Sequence, residues 1–311
     1  MANTIIAGEV ALQQRVARAL ADVLLAQAPA LSDSINQARA DARASVERWV
    51  AARGAAPGAW KIRRETIATR LLTLIDAPWQ LNQQGLDCCA YAAILYACLR
   101  NFPLETAKYA MELFDDGQGT LGGVELRGNS PLRNVAEAAL TALPKWPHPA
   151  DWMMLTAMRS SQAPSDETFD GMPPVSGKML LDLASQSKLA GKMKSLFVGA
   201  SGWGRSGDID LGSVQVEGNT ALFDNNFHTI VLLFLHSGIF PESAFFDMGI
   251  IGHSVLLDSS LVKGTDVDGE TTVSFFVYSY GKRQQIVCTY KKFKRSMVGL
   301  IVAIARRDKR K

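Results

Sequence analysis

Apolar residues recur at helical spacing through the first half of the chain and in short or alternating runs through the second half. The helical spacing predicts a hairpin within residues 1–58, broken at Pro29, and then helices over residues 60–75, 87–100, 104–115 and 151–160. The later runs are rich in Val, Ile and Phe and predict strands over residues 231–234, 254–257, 271–278, 285–290 and 298–304. Helices followed by a mainly antiparallel sheet constitute an α+β fold.

The helical and the strand-rich parts are separated by a region with few regular patterns. Residues 117–131 are rich in turn-forming residues, and residues 162–177 are dominated by Pro, Ser, Asp and Gly, which predicts a mobile loop. We therefore divide the chain into an N-terminal helical hairpin or extension, residues 1–58, and a main domain, residues 59–311, with an inserted region at about 117–225.

Composition and charge narrow the classes of partner. A net charge of +3 on 311 residues is too small to indicate nucleic-acid binding, and we interpret the basic tail 306–311 as a solvated terminus. The apolar run 229–235 is far too short to cross a bilayer, so we expect no integral membrane segment. The first residues lack a basic region followed by a continuous apolar stretch. We therefore expect cytoplasmic synthesis without a cleaved signal peptide, and any secretion would need dedicated machinery.

The four cysteines do not form the pattern of a disulfide framework or a metal site. Cys88 and Cys89 are adjacent and could scarcely bridge each other, and Cys98 falls on the same predicted helix. No Cys/His spacing matches a zinc site. We expect no cofactor and no structural metal.

The segment around Cys88 is the first candidate for chemistry. A polar loop ends there and an Ala-rich helix begins, so the thiol falls at a helix N-terminus, where the dipole favours the reactive thiolate. Backbone amides at that position can also stabilise an oxyanion, and the upstream side-chain amides of Asn82 and Gln83 are further candidate donors. The alternative interpretation is that these cysteines are small buried apolar residues.

This segment resembles the nucleophile helix of papain-like and transglutaminase-like enzymes, in which an aromatic residue and then a small one follow the cysteine three residues later. Cys88 with Tyr91 and Ala92 matches that pattern, and Asn82 then stands where papain-like enzymes keep a glutamine. We favour Cys88 as the nucleophile and keep Cys89 as the alternative.

His253 is the candidate base, because it follows a glycine at the start of a predicted strand and comes after the cysteine in the chain. It resembles the glycine-histidine strand of papain-like enzymes. A turn predicted at residues 266–269 would fold the chain so that His253 faces residues 278–281. Those residues resemble the Asn-Ser-Trp-Gly signature of the family, but Tyr278 stands where the family keeps Asn. Tyr278 or Ser279 could bond the histidine, or the enzyme could use a Cys-His dyad.

The resemblance implies a papain-like thiol hydrolase, with residues 59–311 as its catalytic domain. Its activity would be that of a protease, an amidopeptidase or a deamidase, acting on a protein or peptide substrate, peptidoglycan peptides included. The lack of a signal peptide and the added helical part resemble bacterial effectors or toxins, for which an inhibitor or immunity protein is an expected partner. A transglutaminase-like acyltransferase and a catalytically inactive binding module of the same fold are the alternatives.

Overall fold

A computed structural model describes residues 34–86, 88–142, 146–162, 189, 192–193, 196–201, 229–240, 253–259 and 261–305. The N-terminal part of the predicted hairpin, all but the first residue of the predicted loop 162–177, and the basic tail lie outside these residues.

The first half of the described chain is a helical layer whose core is continuous. The elements are α1 over residues 34–53, α2 Arg64–Asp76, α3 Cys89–Asn101, α4 Pro103–Asp116, β1 Gln118–Leu121, β2 Val124–Arg127, α5 Ser130–Arg133, α6 Glu137–Ala142 and α7 Pro149–Ser160, with a 3-10 turn Pro78–Gln80. The helices over residues 87–100, 104–115 and 151–160 are confirmed, with boundaries shifted by at most two residues. The β1–β2 hairpin forms where only turns were predicted.

Helix α3 is the central element of this layer. Nearly all of its residues are buried, because its sequence is apolar on every face. Helix α7 lies in the region predicted as an insertion, yet it packs in the same core as α2, α3 and α4, with Trp152 and Met153 fully enclosed. Helix α1 is fixed to α4 by the indole of Trp49, which donates to Asp115 at 2.8 Å.

The second half forms a seven-stranded sheet in which every described pairing is antiparallel, so the α+β class is confirmed. Its elements are β3 Phe197–Ser201, β4 Thr229–Leu235, β5 His253–Leu257, β6 Val262–Thr265, β7 Thr271–Ser279, β8 Lys282–Thr289, α8 Tyr290–Ser296 and β9 Met297–Ala305. The strand order is β3-β9-β4-β5-β7-β6, and β8 pairs with the other edge of β7. Strand β6 and helix α8 had not been predicted.

The predicted turn at residues 266–269 exists but joins different strands from those expected. It connects β6 to β7, because β6 is interposed in the chain between β5 and β7. Asp266 closes the turn by accepting the backbone N–H groups of Asp268 and Glu270 at 3.1 and 2.8 Å. Strand β5 still pairs with the last residues of β7, with Leu256 opposite Tyr278.

The two faces of the sheet belong to two separate apolar cores. One face packs against the helical layer, and its residues include Ile230, Leu232, Leu256, Tyr278 and Ile301. The other face packs against α8, and its residues include Val231, Leu233, Val255, Leu257, Phe275 and Val277. Successive side chains of a strand point to opposite faces. Along the regular part of one strand, even-numbered and odd-numbered residues therefore enter different cores.

Candidate functional site

Cys88 is the N-cap residue of α3, and Cys89 is the first residue of the helix. The carbonyl of Cys88 accepts the N–H of Ala92 at 2.8 Å, which starts the helical hydrogen-bond ladder. Both thiols therefore lie at the positive end of the helix dipole, as predicted. They differ in exposure, since Cys88 is only 1% exposed and Cys89 is partly exposed.

His253 is the first residue of β5 and is 3% exposed. Its Nε2 lies 2.7 Å from the Ser279 hydroxyl, and its ring stacks on Tyr280 with 4.5 Å between centroids and an interplanar angle of 6°. Phe240 meets the ring edge-on at 5.5 Å. This burial lowers the pKa of His253 to about 3. The imidazole is therefore neutral at neutral pH.

Of the two residues expected to bond the histidine, Ser279 does so and Tyr278 does not. Tyr278 lies on the opposite face of β7, where its ring stacks on Tyr96 at 4.0 Å and its hydroxyl donates to the carbonyl of Leu81. Burial raises the pKa of Tyr278 well above its usual value, so the hydroxyl stays protonated and remains a donor. Tyr278 thus contacts the loop before Cys88, and Ser279 contacts His253, the candidate base.

Asn82, the candidate oxyanion donor, is held against the turn that follows Ser279. Tyr280 and Gly281 have φ angles of 48° and 74°, which fits a two-residue type I′ hairpin turn. A Cβ added to Gly281 would lie 2.8 Å from Cβ, Cγ and Nδ2 of Asn82, so only glycine allows this approach. The Asn82 Oδ1 accepts the N–H of Gln84 at 2.9 Å. The second candidate donor, Gln83, is buried.

Helix α3 packs on β5, and a contact joins the C-terminal ends of the two elements. Asp258 follows β5 and binds Arg100 of α3 at 2.8 Å, with the hydroxyl of Tyr96 at 3.4 Å. Residues 253 to 258 span about 16 Å at ~3.3 Å each, which equals about eleven helical residues at ~1.5 Å each. Counting back from Tyr96 and Arg100 reaches residues 85–89, the level of Cys88.

The two candidates nevertheless belong to different faces of the sheet. His253 shares its parity with Val255 and Leu257 and lies opposite Leu235, all of which enter the core on the α8 side. Cys88 packs in the core of the helical layer, as does Leu256. Within the described part of the chain, His253 contacts Ser279, Tyr280 and Phe240. The Cys88–His253 pair itself stays a prediction.

The described residues contain no group of three or more His, Cys, Asp or Glu side chains that could hold a metal ion. None of the four cysteines forms a disulfide. Over the same ranges, no helix combines the length and apolar character required to cross a bilayer.

Sequence inspection missed three residues that shape this region. Tyr280 stacks on His253, and Arg70 and Asp151 form a buried ion pair beneath Asn82. Tyr280 stands at the Trp position of the Asn-Ser-Trp-Gly signature, so the resemblance could have identified it. Arg70 and Asp151 lie 81 residues apart, and no local pattern connects them.

Comparison of the chain with protein-family models, with curated proteins and with solved structures finds no match. Function must therefore be inferred from the residues themselves.

Proposed function

We propose that the protein is a papain-like thiol hydrolase that cleaves peptide or amide bonds, with Cys88 as nucleophile and His253 as base. One observation carries the proposal: Asn82, six residues before Cys88, packs on the Tyr280–Gly281 turn, and Tyr280 in turn stacks on His253. The loop before the thiol and the turn beside the imidazole therefore meet at one end of the α3–β5 pair.

In this mechanism the sulfur of Cys88 attacks the substrate carbonyl carbon, and His253 takes the thiol proton and later gives it to the leaving amine. Water then hydrolyses the thioester. The amide of Asn82 and the N–H groups at the start of α3 would stabilise the oxyanion. His253 is the terminal residue of its strand, and a local change of its backbone that turns the ring from the Ser279 face toward α3 is a required step of the proposal.

The low pKa of His253 sets a condition on this scheme. With a pKa of about 3, His253 carries no charge at neutral pH and supplies no resting imidazolium to hold a thiolate, so its pKa has to rise when substrate binds before the ring can take the thiol proton. Activation would then accompany substrate binding. The substrate class is a protein or a peptide, peptidoglycan peptides included, and a bacterial effector of this kind would have an inhibitor or immunity partner.

A binding module that kept this fold without activity is the second candidate, and a specific observation favours it. The ring of His253 lies on the sheet face away from α3 and bonds Ser279 there. A module would keep the imidazole as a structural group in that core.

Iodoacetamide alkylation followed by mass spectrometry separates the two candidates. The proteins compared are wild type, Cys88→Ala, Cys89→Ala and His253→Ala. Cys98 serves as an internal reference, because burial raises its pKa to about 12 and it should remain unlabelled.

We expect Cys88 to be labelled faster than an ordinary thiol, because the start of α3 favours its thiolate and His253 takes the thiol proton as the reagent enters the site. This rate should be kept in Cys89→Ala and lost in His253→Ala. Labelling of Cys89 alone, at the same rate in wild type and in His253→Ala, would refute the assignment of the nucleophile. Labelling of both no faster than an unfolded thiol would favour the binding module. In a protein substrate, incorporation of an added amine would identify acyl transfer in place of hydrolysis.

A further inference from the structure

Asp151 is a fully buried carboxylate in the first turn of α7, and its partners all belong to the region before Cys88. Arg70 of α2 donates from Nε to Oδ1 at 2.9 Å and from Nη2 to Oδ2 at 2.7 Å. The backbone N–H of Asn82 donates to the same Oδ2 at 3.0 Å. The Nη2 of Arg70 also donates to the carbonyl of Gln80 at 2.6 Å. One ion pair thus holds the loop at two points.

These contacts fix three consecutive residues of the loop. The ion pair holds Gln80 and Asn82, and between them the carbonyl of Leu81 accepts from Tyr278. Asn82 is therefore held through its backbone by Asp151 and through its Oδ1 by the N–H of Gln84. The side-chain amide of Asn82 is thereby fixed in place, with its Nδ2 packed against Gly281.

Stability alone is a weak reason for such a pair. Removing two charges from water costs several kcal/mol each, and well-packed apolar residues of similar size are often at least as stable. A guanidinium that makes two parallel hydrogen bonds to a carboxylate does, however, fix the orientation of both side chains, because the paired bonds restrict rotation. The pair is thus suited to precise placement of the loop.

We propose that Asp151, together with Arg70, is a positioning residue that aims the amide of Asn82 at the oxyanion formed when Cys88 attacks a carbonyl. This role rests on the proposed function. Asp151 does not touch the reacting atoms and acts through the backbone of Asn82.

The test compares two reactions of Cys88 in the full chain. Acylation by 4-nitrophenyl acetate forms a bond from sulfur to the carbonyl carbon, breaks the bond to 4-nitrophenolate, passes the thiol proton to His253 and proceeds through an oxyanion. Alkylation by iodoacetamide displaces iodide at a saturated carbon and forms no oxyanion. Only acylation should need a correctly placed Asn82.

The variants are Asp151→Asn, Arg70→Lys, Asn82→Ala and the double variant Asp151→Asn/Asn82→Ala. Arg70→Lys keeps the charge but loses the paired hydrogen bonds, so it tests the same role if Asp151→Asn does not fold. Asp258→Asn is the matched control. It removes a carboxylate from a buried ion pair with Arg100 at the far end of α3.

We expect Asp151→Asn or Arg70→Lys to slow the burst of 4-nitrophenolate about tenfold or more, while alkylation of Cys88 changes less than about twofold. The double variant should be no slower than Asn82→Ala, because both changes remove one interaction. Asp258→Asn should change neither reaction.

Equal loss of both reactions, no loss of either, or a loss of acylation in Asp258→Asn as large as that in Asp151→Asn would overturn the positioning role and leave the nucleophile intact. A wild-type protein whose Cys88 is neither acylated nor alkylated faster than an unfolded thiol would overturn the proposed function itself, and this role with it.

Discussion

The burial of His253 should make the free energy of unfolding depend on pH. The size of this dependence can be calculated from the lowered pKa of the ring. The pKa of His253 is about 3 in the folded protein, whereas an unfolded histidine titrates near ~6.5. Above pH 6.5 both states hold a neutral ring and no stability is lost. Below that pH the unfolded chain binds a proton on the His253 imidazole, whereas the folded protein binds this proton only at about pH 3. Stability therefore falls by about 1.4 kcal/mol per pH unit, or about 3 kcal/mol between pH 7 and pH 4.5.

Urea unfolding at pH 7 and pH 4.5 measures this loss when wild type is compared with His253→Gln. The substitution removes the titrating ring. Between pH 7 and pH 4.5, the unfolding free energy of His253→Gln should therefore fall by about 3 kcal/mol less than that of wild type. Other titrating groups, such as His148, contribute to both proteins and cancel in the difference. His236→Gln, at an exposed histidine, is the matched control and should behave as wild type. Identical pH dependence in wild type and His253→Gln would mean that His253 is not held as a buried neutral group.

Three further substitutions test the contacts around the site by urea unfolding. Tyr278→Phe leaves the buried carbonyl of Leu81 without its donor and should cost about 1–3 kcal/mol, whereas no change would mean that this hydrogen bond is absent. Gly281→Ala puts a side chain at a φ of 74° against Asn82 and should cost about 1–3 kcal/mol, with an unchanged stability contradicting the close approach. Asp258→Asn leaves a buried guanidinium of α3 without its carboxylate and should cost about 3 kcal/mol; a cost below about 1 kcal/mol would show the pair to be effectively solvated.

The elements that carry the candidate site could be predicted from the sequence because each has a strong local pattern. Helix α3 is an unbroken apolar segment behind a polar loop, β5 contains the short apolar run Val255 to Leu257, and β7 is a run of β-branched and aromatic residues. The expected position of His253 opposite residues 278–281 agrees with its bond to Ser279, although the turn used to derive it belongs to β6 and β7. The expected position agrees with the structure because β5 and β6 pair with different parts of the same strand, β7.

The face on which His253 lies could not be predicted in the same way. Strand parity does place Asp258 on the face opposite His253, and Asp258 indeed binds α3. Which face α3 covers, however, depends on how the helical layer packs on the sheet, and that packing is a long-range property. The pair of Arg70 with Asp151 has the same origin, since residues far apart in the chain meet only after the helices have packed.

The two nitrogens of His253 have different surroundings, and this difference decides what Ser279 contributes to the proposed reaction. A buried imidazole that stays neutral holds one proton, and a serine hydroxyl can either donate to Nε2 or accept from it. If Ser279 donates, the proton sits on Nδ1 and the ring has no free lone pair for a thiol. If Ser279 accepts, Nε2 carries the proton and the lone pair of Nδ1 can act as base; among the described residues, the Tyr280 hydroxyl lies 3.5 Å from Nδ1. The proposed mechanism therefore requires Ser279 as an acceptor in the resting protein. A neutral serine would then set the tautomer, next to Tyr278, which stands where the papain-like signature has an amide.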